Sequence, residues 1–209
     1  MNAQPAGEHD EATEVREDAG RAFVFKNRGT LLAIPALMFV AFGKPTRRSV
    51  AIGLPLAVAG EALRCWAVGY SGVTTRGDRV TAPQLVTAGP YAHVRNPLYL
   101  GNLITGLGFA IAFAGGLPRR KRNRVIGLGL GSMVAVYAAI IPHEEQFLAR
   151  TFGDDYADYQ TRVPAMGWRV KPAMFARGSY DPSVILSAET RTFATFGAML
   201  LALALKARR

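Results

Sequence analysis

The sequence predicts an all-α protein, an integral-membrane helical bundle of four to five transmembrane helices with short interfacial helices after the fourth. Hydrophobic residues make up 50% of the 209-residue chain and charged residues only 19%, which suits a membrane bundle better than a soluble domain of this length. Most of the apolar runs approach the roughly 20 residues that a spanning helix needs. An amphipathic stretch after the fourth run predicts the interfacial helices.

The amino-terminal end differs in composition from the rest of the chain. It is polar and acidic and contains no apolar stretch, so we expect residues 1–20 to form a disordered tail. A secretory signal is not expected, because the first apolar run begins near Leu31, behind acidic residues. Residues 21–209 are expected to form one membrane domain, in which residues 84–164 carry the motifs.

Four apolar runs precede the polar middle of the chain and a fifth follows it. The first is short and contains Pro35, whereas the fifth ends in a basic tail and is expected to span the membrane, tilt or lie in the interface. The runs cover residues 29–43, 50–70, 98–117, 125–142 and 192–205.

The third and fourth runs are expected to form a hairpin, because Pro118 and a basic cluster leave only a tight connection between them. Each helix would have about 18 residues and rise roughly 27 Å, so the chain returns to the membrane face it left. Residues just before Leu98 and just after Pro142 should therefore meet at one face.

The polar stretch after Pro142 has apolar and aromatic residues at helical spacing up to Pro164. Gly153 indicates a stop and a restart, so we expect two short helices over the membrane face. Residues 165–183, rich in Pro and Gly, are expected to form a surface loop.

The formal net charge of +10 comes largely from clusters that flank apolar runs, which favours contact with anionic lipid headgroups over nucleic-acid binding. The expected partners are the lipid bilayer and a lipophilic substrate, without nucleic acid. Cys65 is the only cysteine, which excludes an internal disulfide and a cysteine-rich metal site. The clusters are Lys44, Arg47 and Arg48, and then Arg119, Arg120, Lys121, Arg122 and Arg124.

Two constellations carry the chemistry. In the first, a Gly-Pro turn leads into Arg95, Asn96, Pro97 and Tyr99 at the mouth of the third helix. In the second, Glu144 and Glu145 follow the fourth run. The simpler interpretation of the first constellation is that Arg95 is an interfacial anchor. The simpler interpretation of the second is that the two acids are solvated side chains. The hairpin, however, places them face to face, and acids and an arginine beside an apolar cavity match the charges of S-adenosylmethionine.

Further polar and small residues lie within the apolar runs. Gly106 and Gly108 form a Gly-x-Gly inside a helix, which rules out a dinucleotide-fold loop and leaves helix packing and close approach of a cofactor as equal alternatives. Glu61 and Arg64 lie one turn apart, so they can pair with each other, and they have either a functional or an interfacial role.

Two histidines accompany the motifs, His93 and His143. They lack a repeated ligand spacing, so no metal site is predicted. His93 is a candidate general base for an amine or hydroxyl nucleophile.

These residues resemble the isoprenylcysteine carboxyl methyltransferase and phospholipid methyltransferase superfamily of membrane enzymes. The resemblance covers about residues 84–164. It rests on Gly-Pro-Tyr and Val-Arg-Asn-Pro-x-Tyr-x-Gly between Gly89 and Gly101, and on Glu-Glu-x-x-Leu, Phe-Gly-x-x-Tyr and Val-Pro between Glu144 and Pro164.

The resemblance implies S-adenosylmethionine as the cofactor, a cofactor pocket facing the cytosol and a lipid-side tunnel for the substrate. In the phospholipid branch the Gly-x-Gly and the acidic pair are also assigned to the cofactor, which adds Gly106, Gly108 and Glu145. The other residues that the resemblance implies at the cofactor site are Gln84, Leu85, Val86, Tyr91, Arg95, Asn96, Pro97, Tyr99 and Glu144.

Two departures from the family pattern bear on the substrate. Asn96 stands where many eukaryotic carboxyl methyltransferases have His, and its amide can still donate a hydrogen bond. Ile140 stands where those enzymes have an arginine implicated in binding the substrate carboxylate. The resemblance therefore does not imply prenylcysteine specificity.

The resulting hypothesis is direct methyl transfer to a lipophilic or membrane-presented acceptor, accelerated mainly by positioning. Glu144 and Glu145 would hold the amino group or complement the sulfonium, Arg95 the carboxylate, and aromatic residues the adenine. An NADPH-dependent membrane reductase of the sterol-reductase-like type and a non-enzymatic scaffold are the alternatives.

One charge cluster argues against the membrane orientation that places the cofactor site in the cytosol. Arg119–Arg124 at the hairpin tip favours a cytosolic tip, whereas a cytosolic cofactor site requires the opposite face inside. We expect the cofactor site inside, because basic residues on that face partly balance the count: Arg21, Lys26, Arg28, Arg76, Arg79 and Arg95.

Overall fold

The computed structural model describes residues 20–21, 23–72, 83–173 and 177–208, and within them the chain is helical with no β-strand. The predicted all-α class is confirmed. The acidic tail expected at residues 1–20 lies almost entirely outside the described residues. The helices are α1 (Arg28–Phe42), α2 (Arg47–Ser71), α3 (Pro97–Ala114), α4 (Arg119–Phe152), α5 (Asp154–Arg162) and α6 (Val184–Ala207), with a 3-10 turn at Gly89–Ala92 before α3.

Four of these helices, α2, α3, α4 and α6, are long and apolar enough to cross a membrane. Helix α1 is apolar but has 15 residues, which gives a rise of roughly 22 Å against a hydrocarbon core of about 30 Å. The predicted bundle of four to five transmembrane helices is confirmed: four helices reach spanning length, and α1 is a shorter apolar helix.

Helix α4 is longer than the sequence suggested. The expected end at Pro142 is absent: the helix has 34 residues, contains Pro142 and continues to Phe152. A proline removes one backbone hydrogen bond but does not have to end a helix. The first of the two expected short helices is therefore the last part of α4, and only α5 is separate, beginning after Gly153 in a left-handed conformation (φ 50°).

The basic cluster at Arg119–Arg124 also belongs to α4, where it forms the first turns and not a loop. The connection from α3 is correspondingly short, and the two helices form the predicted hairpin.

Helices α2 and α3 form the closest packing in the bundle. A Cβ atom on Gly108 would overlap the backbone of Gly53 and Ala57, and one on Gly60 would lie 2.6 Å from the carbonyl oxygen of Gly101. Small residues at these positions let the two backbones approach each other, as in many membrane helix pairs. This contact holds α3, and the segment that leads into it, in a fixed place.

An apolar core joins α1, α2, α3, α4 and α6. The aromatic rings of Phe109 and Phe196 meet edge to face at 5.1 Å within it. Its largest buried members are Phe39, Phe109, Phe113, Met199 and Leu203.

Candidate active site

The structure brings the two motifs together at one end of the α3–α4 hairpin. Arg95 lies just before α3, and Glu145 lies in the last turns of α4. The Arg95 guanidinium donates to both carboxylate oxygens of Glu145, from Nε at 2.9 Å and from Nη2 at 3.0 Å. The side chains are 12% and 16% exposed, so this bidentate ion pair is largely shielded from water.

Arg95 also binds backbone groups of α5 and the loop after it. Its Nη1 donates to the carbonyl oxygens of Val163 at 2.6 Å and Gln160 at 3.2 Å, and its amide donates to Pro164 O at 2.9 Å. Burial lowers the pKa of the guanidinium, but the hydrogen bond and charge of Glu145 outweigh this effect and raise it. Arg95 thus stays charged and ties α4 to the end of α5.

Glu145 is held by three side chains. Besides Arg95, the Asn96 amide donates to Oε1 at 3.2 Å and the Gln160 amide to Oε2 at 3.4 Å. The same Asn96 amide also donates to Ala165 O at 3.1 Å. Pro97 is buried as the first residue of α3. Glu145 therefore has few free lone pairs, and it holds together the segment before α3 and the end of α5.

Glu144 faces a different direction, because consecutive residues of a helix point about 100° apart. Its Oε1 accepts a hydrogen bond from the Tyr99 hydroxyl at 2.7 Å. The Tyr99 ring in turn packs against Tyr137, with ring centroids 4.8 Å apart. The two adjacent acids consequently have separate surroundings: Glu145 in an ion pair, and Glu144 beside a pair of tyrosines.

The segment before α3 is anchored on α5. Leu85 is buried in a cluster with Tyr156, Tyr159 and Val163. Val86 is half-buried, whereas Gln84 is exposed. The sequence does not reveal this apolar support, because its members come from three separate stretches.

The 3-10 turn is fixed by two contacts. The Tyr159 hydroxyl donates to Tyr91 O at 2.7 Å. Gly89 has φ of 60°, and a Cβ there would overlap the Tyr70 ring, so the turn requires glycine for both reasons. Burial raises the pKa of the Tyr91 hydroxyl to about 12, which keeps it protonated at neutral pH.

His93 lies among aromatic rings on the side of the loop after α5. It stacks on Trp168 with ring centroids 4.6 Å apart, and Trp66 lies 6.5 Å away. Its Nδ1 lies 2.7 Å from the carbonyl oxygen of Arg169. A carbonyl oxygen only accepts, so Nδ1 carries the hydrogen and Nε2 is left as an acceptor.

The two glycines of the Gly-x-Gly face different helices. Gly108 packs against α2, as described above, whereas a Cβ on Gly106 would meet the flexible end of Met133 on α4. Two residues apart on a helix corresponds to about 200° of rotation, so both glycines do not face one ligand. Between the two alternatives, the structure places Gly108 in helix packing.

A buried ionic network inside the bundle includes a residue that the sequence analysis missed. Arg64 Nη2 donates to both oxygens of Glu189 on α6, at 2.9 and 2.8 Å, and Nη1 donates to Asn102 Oδ1 at 2.7 Å. The predicted partner, Glu61, lies 3.8 Å from Arg64 Nε. Glu189 is 1% exposed. A charged residue within an apolar helix is a functional signal that could have identified Glu189, although it does not identify Arg64 as the partner.

His143, the other histidine of the motifs, packs against the ring of Phe25 at 5.8 Å. The described residues contain no group of three or more His, Cys, Asp or Glu side chains arranged to hold a metal ion.

Comparison with known proteins identifies a methyltransferase and a metal-resistance protein among the relatives of this chain. Protein-S-isoprenylcysteine O-methyltransferase B of Arabidopsis thaliana is 30% identical over 118 residues, which cover 54% of this chain and 56% of the relative. Cobalt-zinc-cadmium resistance protein CzcN of Cupriavidus metallidurans is 35% identical over 114 residues, which cover 54% of this chain and 45% of the relative. The chain thus spans about half the length of the curated relatives it matches. No solved structure matches.

The family model described as Phospholipid methyltransferase matches residues 49–155. That range runs from the first turn of α2 to the start of α5. It contains the Arg95 segment and the acidic pair, with the contact between Arg95 and Glu145, and ends before the Val-Pro of the second motif. The match covers half of the chain, and the chain belongs to the phospholipid methyltransferase family.

Proposed function

We propose that this protein transfers a methyl group from S-adenosylmethionine to a lipophilic acceptor that arrives from the bilayer. The observation that carries the proposal is the contact between the Arg95 segment and the acidic pair, within the part of the chain that the family model matches. That contact forms a polar cluster at the end of an apolar hairpin, where a charged cofactor and an apolar substrate can meet.

The residues present fit S-adenosylmethionine, which has a sulfonium, an amino group and a carboxylate. Glu144 is the fitting partner for a cationic group, because Tyr99 is its hydrogen-bond donor at one oxygen and the other oxygen has acceptor capacity. Tyr91, Leu85 and Val86 would supply aromatic and apolar surface for the adenosine. These assignments are part of the proposal.

Arg95 has a different proposed role from the one that the sequence suggested. Its Nε, Nη1 and Nη2 already donate to Glu145 and to two backbone carbonyls. We therefore propose that Arg95, with Asn96, positions Glu145 and the loop after α5 and does not itself hold the cofactor carboxylate. Gly106 remains a candidate for close approach of the cofactor, whereas Gly108 is a packing residue between α2 and α3.

The bound cofactor would supply an electrophilic methyl group. The protein would contribute chiefly by orientation, since Glu144 and the tyrosines hold the donor side and the bundle presents the acceptor. Because His93 Nδ1 faces a carbonyl oxygen, its Nε2 is a proposed proton acceptor for a nucleophile that must lose a proton.

Replacing Glu144 tests this assignment. Glu144→Ala should weaken S-adenosylhomocysteine binding by about ten-fold or more, because a charge-assisted contact is lost, while the bundle stays folded. The matched control is Asp158→Asn, which alters an exposed acid paired with Arg162 on α5. Equal affinity in Glu144→Ala and wild type, measured by calorimetry in detergent, would remove Glu144 from the site.

A further inference from the structure

A short strap, residues 177–181, precedes α6 and binds the segment that the proposed function assigns to the methyl donor. The Arg177 carbonyl oxygen accepts from the amides of Thr87 at 2.9 Å and Ala88 at 3.1 Å. In return, the Arg177 amide donates to the Thr87 hydroxyl at 3.0 Å. These hydrogen bonds fix the backbone directly after Val86, which belongs to the proposed adenosine surface.

The strap also packs against the end of α2. The Asp181 amide donates to the Gly69 carbonyl oxygen at 2.8 Å, in the last turn of that helix, where carbonyl groups lack an intrahelical partner. A Cβ on Gly69 would overlap the Tyr180 ring, so this ring lies directly on the helix backbone. The strap is therefore seated on a helix of the bundle and is not held by the donor segment alone.

Tyr70 connects the strap to the other end of the donor segment, residues 84–91. Its ring meets that of Tyr180 with centroids 5.4 Å apart, a favourable separation for an aromatic pair. On the donor segment, a Cβ on Gly89 would overlap the same Tyr70 ring. The Tyr180 ring thus supports the 3-10 turn through one intervening side chain.

Helix α5 supports both the strap and the donor segment. The Arg177 guanidinium donates to both carboxylate oxygens of Asp155, from Nη1 at 2.5 Å and from Nη2 at 3.3 Å. Both side chains are more than half exposed, so this ion pair by itself stabilises the fold little. The same helix holds the 3-10 turn through the hydrogen bond from Tyr159 to Tyr91 described above.

We propose that the strap is a positioning element of the methyl-donor site and that Tyr180 is its principal positioning residue. The proposal rests on the methyl-transfer function proposed above. Tyr180 acts through Tyr70 and the backbone of the donor segment and does not itself touch the cofactor. The strap lies outside residues 49–155, the range that the family model matches, so the proposal extends the site to the segment before α6.

Tyr180→Ala tests the proposal. If the donor segment then holds its binding arrangement only about one tenth of the time, the affinity for S-adenosylhomocysteine falls about ten-fold. Tyr180→Phe keeps the ring that packs on Tyr70 and should bind like wild type. The matched control is Leu186→Ala, which removes an exposed apolar side chain from the first turn of α6 and should leave affinity unchanged. Calorimetry of the full chain in detergent measures all four proteins.

Hydrogen exchange of the protein without cofactor separates positioning from a general loss of stability. In Tyr180→Ala the amides of residues 84–91 should exchange faster than in wild type, while those of α3 and α4 keep their protection. A variant that only destabilises the bundle would lose protection in α3 and α4 as well. Mass spectrometry of the exchanged peptides provides this measurement.

If Tyr180→Ala does not fold, Gly178→Ala is the second variant. Gly178 is exposed and has φ of 116°, and an added Cβ would lie 3.2 Å from Val86 Cγ1. The substitution therefore disturbs the strap where it meets the donor segment. It should weaken S-adenosylhomocysteine binding and speed the exchange of residues 84–91 in the same way.

Unchanged affinity in Tyr180→Ala would overturn the proposal, as would a loss of affinity without faster exchange in residues 84–91, or a Tyr180→Phe variant as weak as Tyr180→Ala. Failure of the methyl-transfer function gives a different result. In that case the wild-type protein does not bind S-adenosylhomocysteine, while the exchange measured without cofactor still shows whether the strap holds the donor segment.

Discussion

At the scale of single residues, the two neighbouring acids of α4 have different surroundings. Glu145 is held on both oxygens by Arg95 and Asn96, whereas Glu144 accepts from Tyr99 on the side of the tyrosine pair. The sequence predicted that the acids and Arg95 meet. It did not indicate which acid Arg95 would bind, since that depends on the rotation of α4 beyond Pro142.

Arg95→Lys tests the positioning role. A lysine ammonium cannot reproduce the planar fork that reaches Glu145 and Val163 together, so the variant should lose about 1–3 kcal/mol of stability and bind S-adenosylhomocysteine more weakly. The control is Arg162→Lys, in an exposed pair with Asp158 that should change stability by less than about 0.5 kcal/mol. Equal unfolding midpoints for the two variants in detergent would contradict the role given to Arg95.

Glu189→Gln tests the buried network. The substitution leaves the Arg64 guanidinium without its bidentate carboxylate, which should destabilise the bundle by about 3–5 kcal/mol. The triple variant Glu61→Gln, Arg64→Met and Glu189→Leu should recover much of the loss, because it removes all three buried charges. Unfolding in detergent measures both, and a single variant as stable as wild type would show that the network contributes little.

At the scale of helices, the α2–α3 contact explains why the site is well placed. Backbones in close contact at Gly53–Gly108 and Gly60–Gly101 leave little room for α3 to shift, and the Arg95 segment leads directly into that helix. The Gly-x-Gly of the sequence thus contributes one residue, Gly108, to this contact.

Gly108→Val should destabilise the protein by more than about 2 kcal/mol, because the new side chain would overlap the backbone of α2. Gly127→Ala on α4 is the matched control: nothing lies within 4 Å of its added Cβ, so stability should stay equal or rise. Thermal unfolding of both variants in one detergent provides the measurement. A Gly108→Val protein as stable as the control would show that the helices are farther apart than described.

The hairpin, the apolar runs and the meeting of the motifs were predictable, because each follows from run length and local composition. The continuation of α4 to Phe152 was not, because Pro142 and the change to polar residues suggested an end that tertiary packing overrides. The Arg64–Glu189 pair was missed for a related reason. It joins residues 125 positions apart, and no local pattern reports such a contact.

At the scale of the whole molecule, the site and the basic start of α4 lie at opposite ends of one helix. Arg122 and Glu144 are separated by roughly 33 Å along α4, about the thickness of the hydrocarbon core. One end therefore faces the cytosol and the other does not, and we propose that the end with Glu144 is the cytosolic one.

Cysteine accessibility tests the orientation, since Cys65 is the only native cysteine. In a Cys65→Ser background, Lys171→Cys on the loop after α5 should be protected from an impermeant maleimide in intact cells. Lys121→Cys, at the start of α4, should be labelled. Opposite labelling of the two positions would place the site on the other side of the membrane.

The most direct measurement of the central claim is calorimetric titration of the wild-type protein in detergent with S-adenosylhomocysteine and, separately, with NADPH. A methyltransferase site should bind S-adenosylhomocysteine and give no heat with NADPH, and the bound ligand should raise the unfolding temperature. Binding of NADPH without S-adenosylhomocysteine would instead support a membrane reductase, and binding of neither would support a scaffold; both results would contradict the methyl-transfer account.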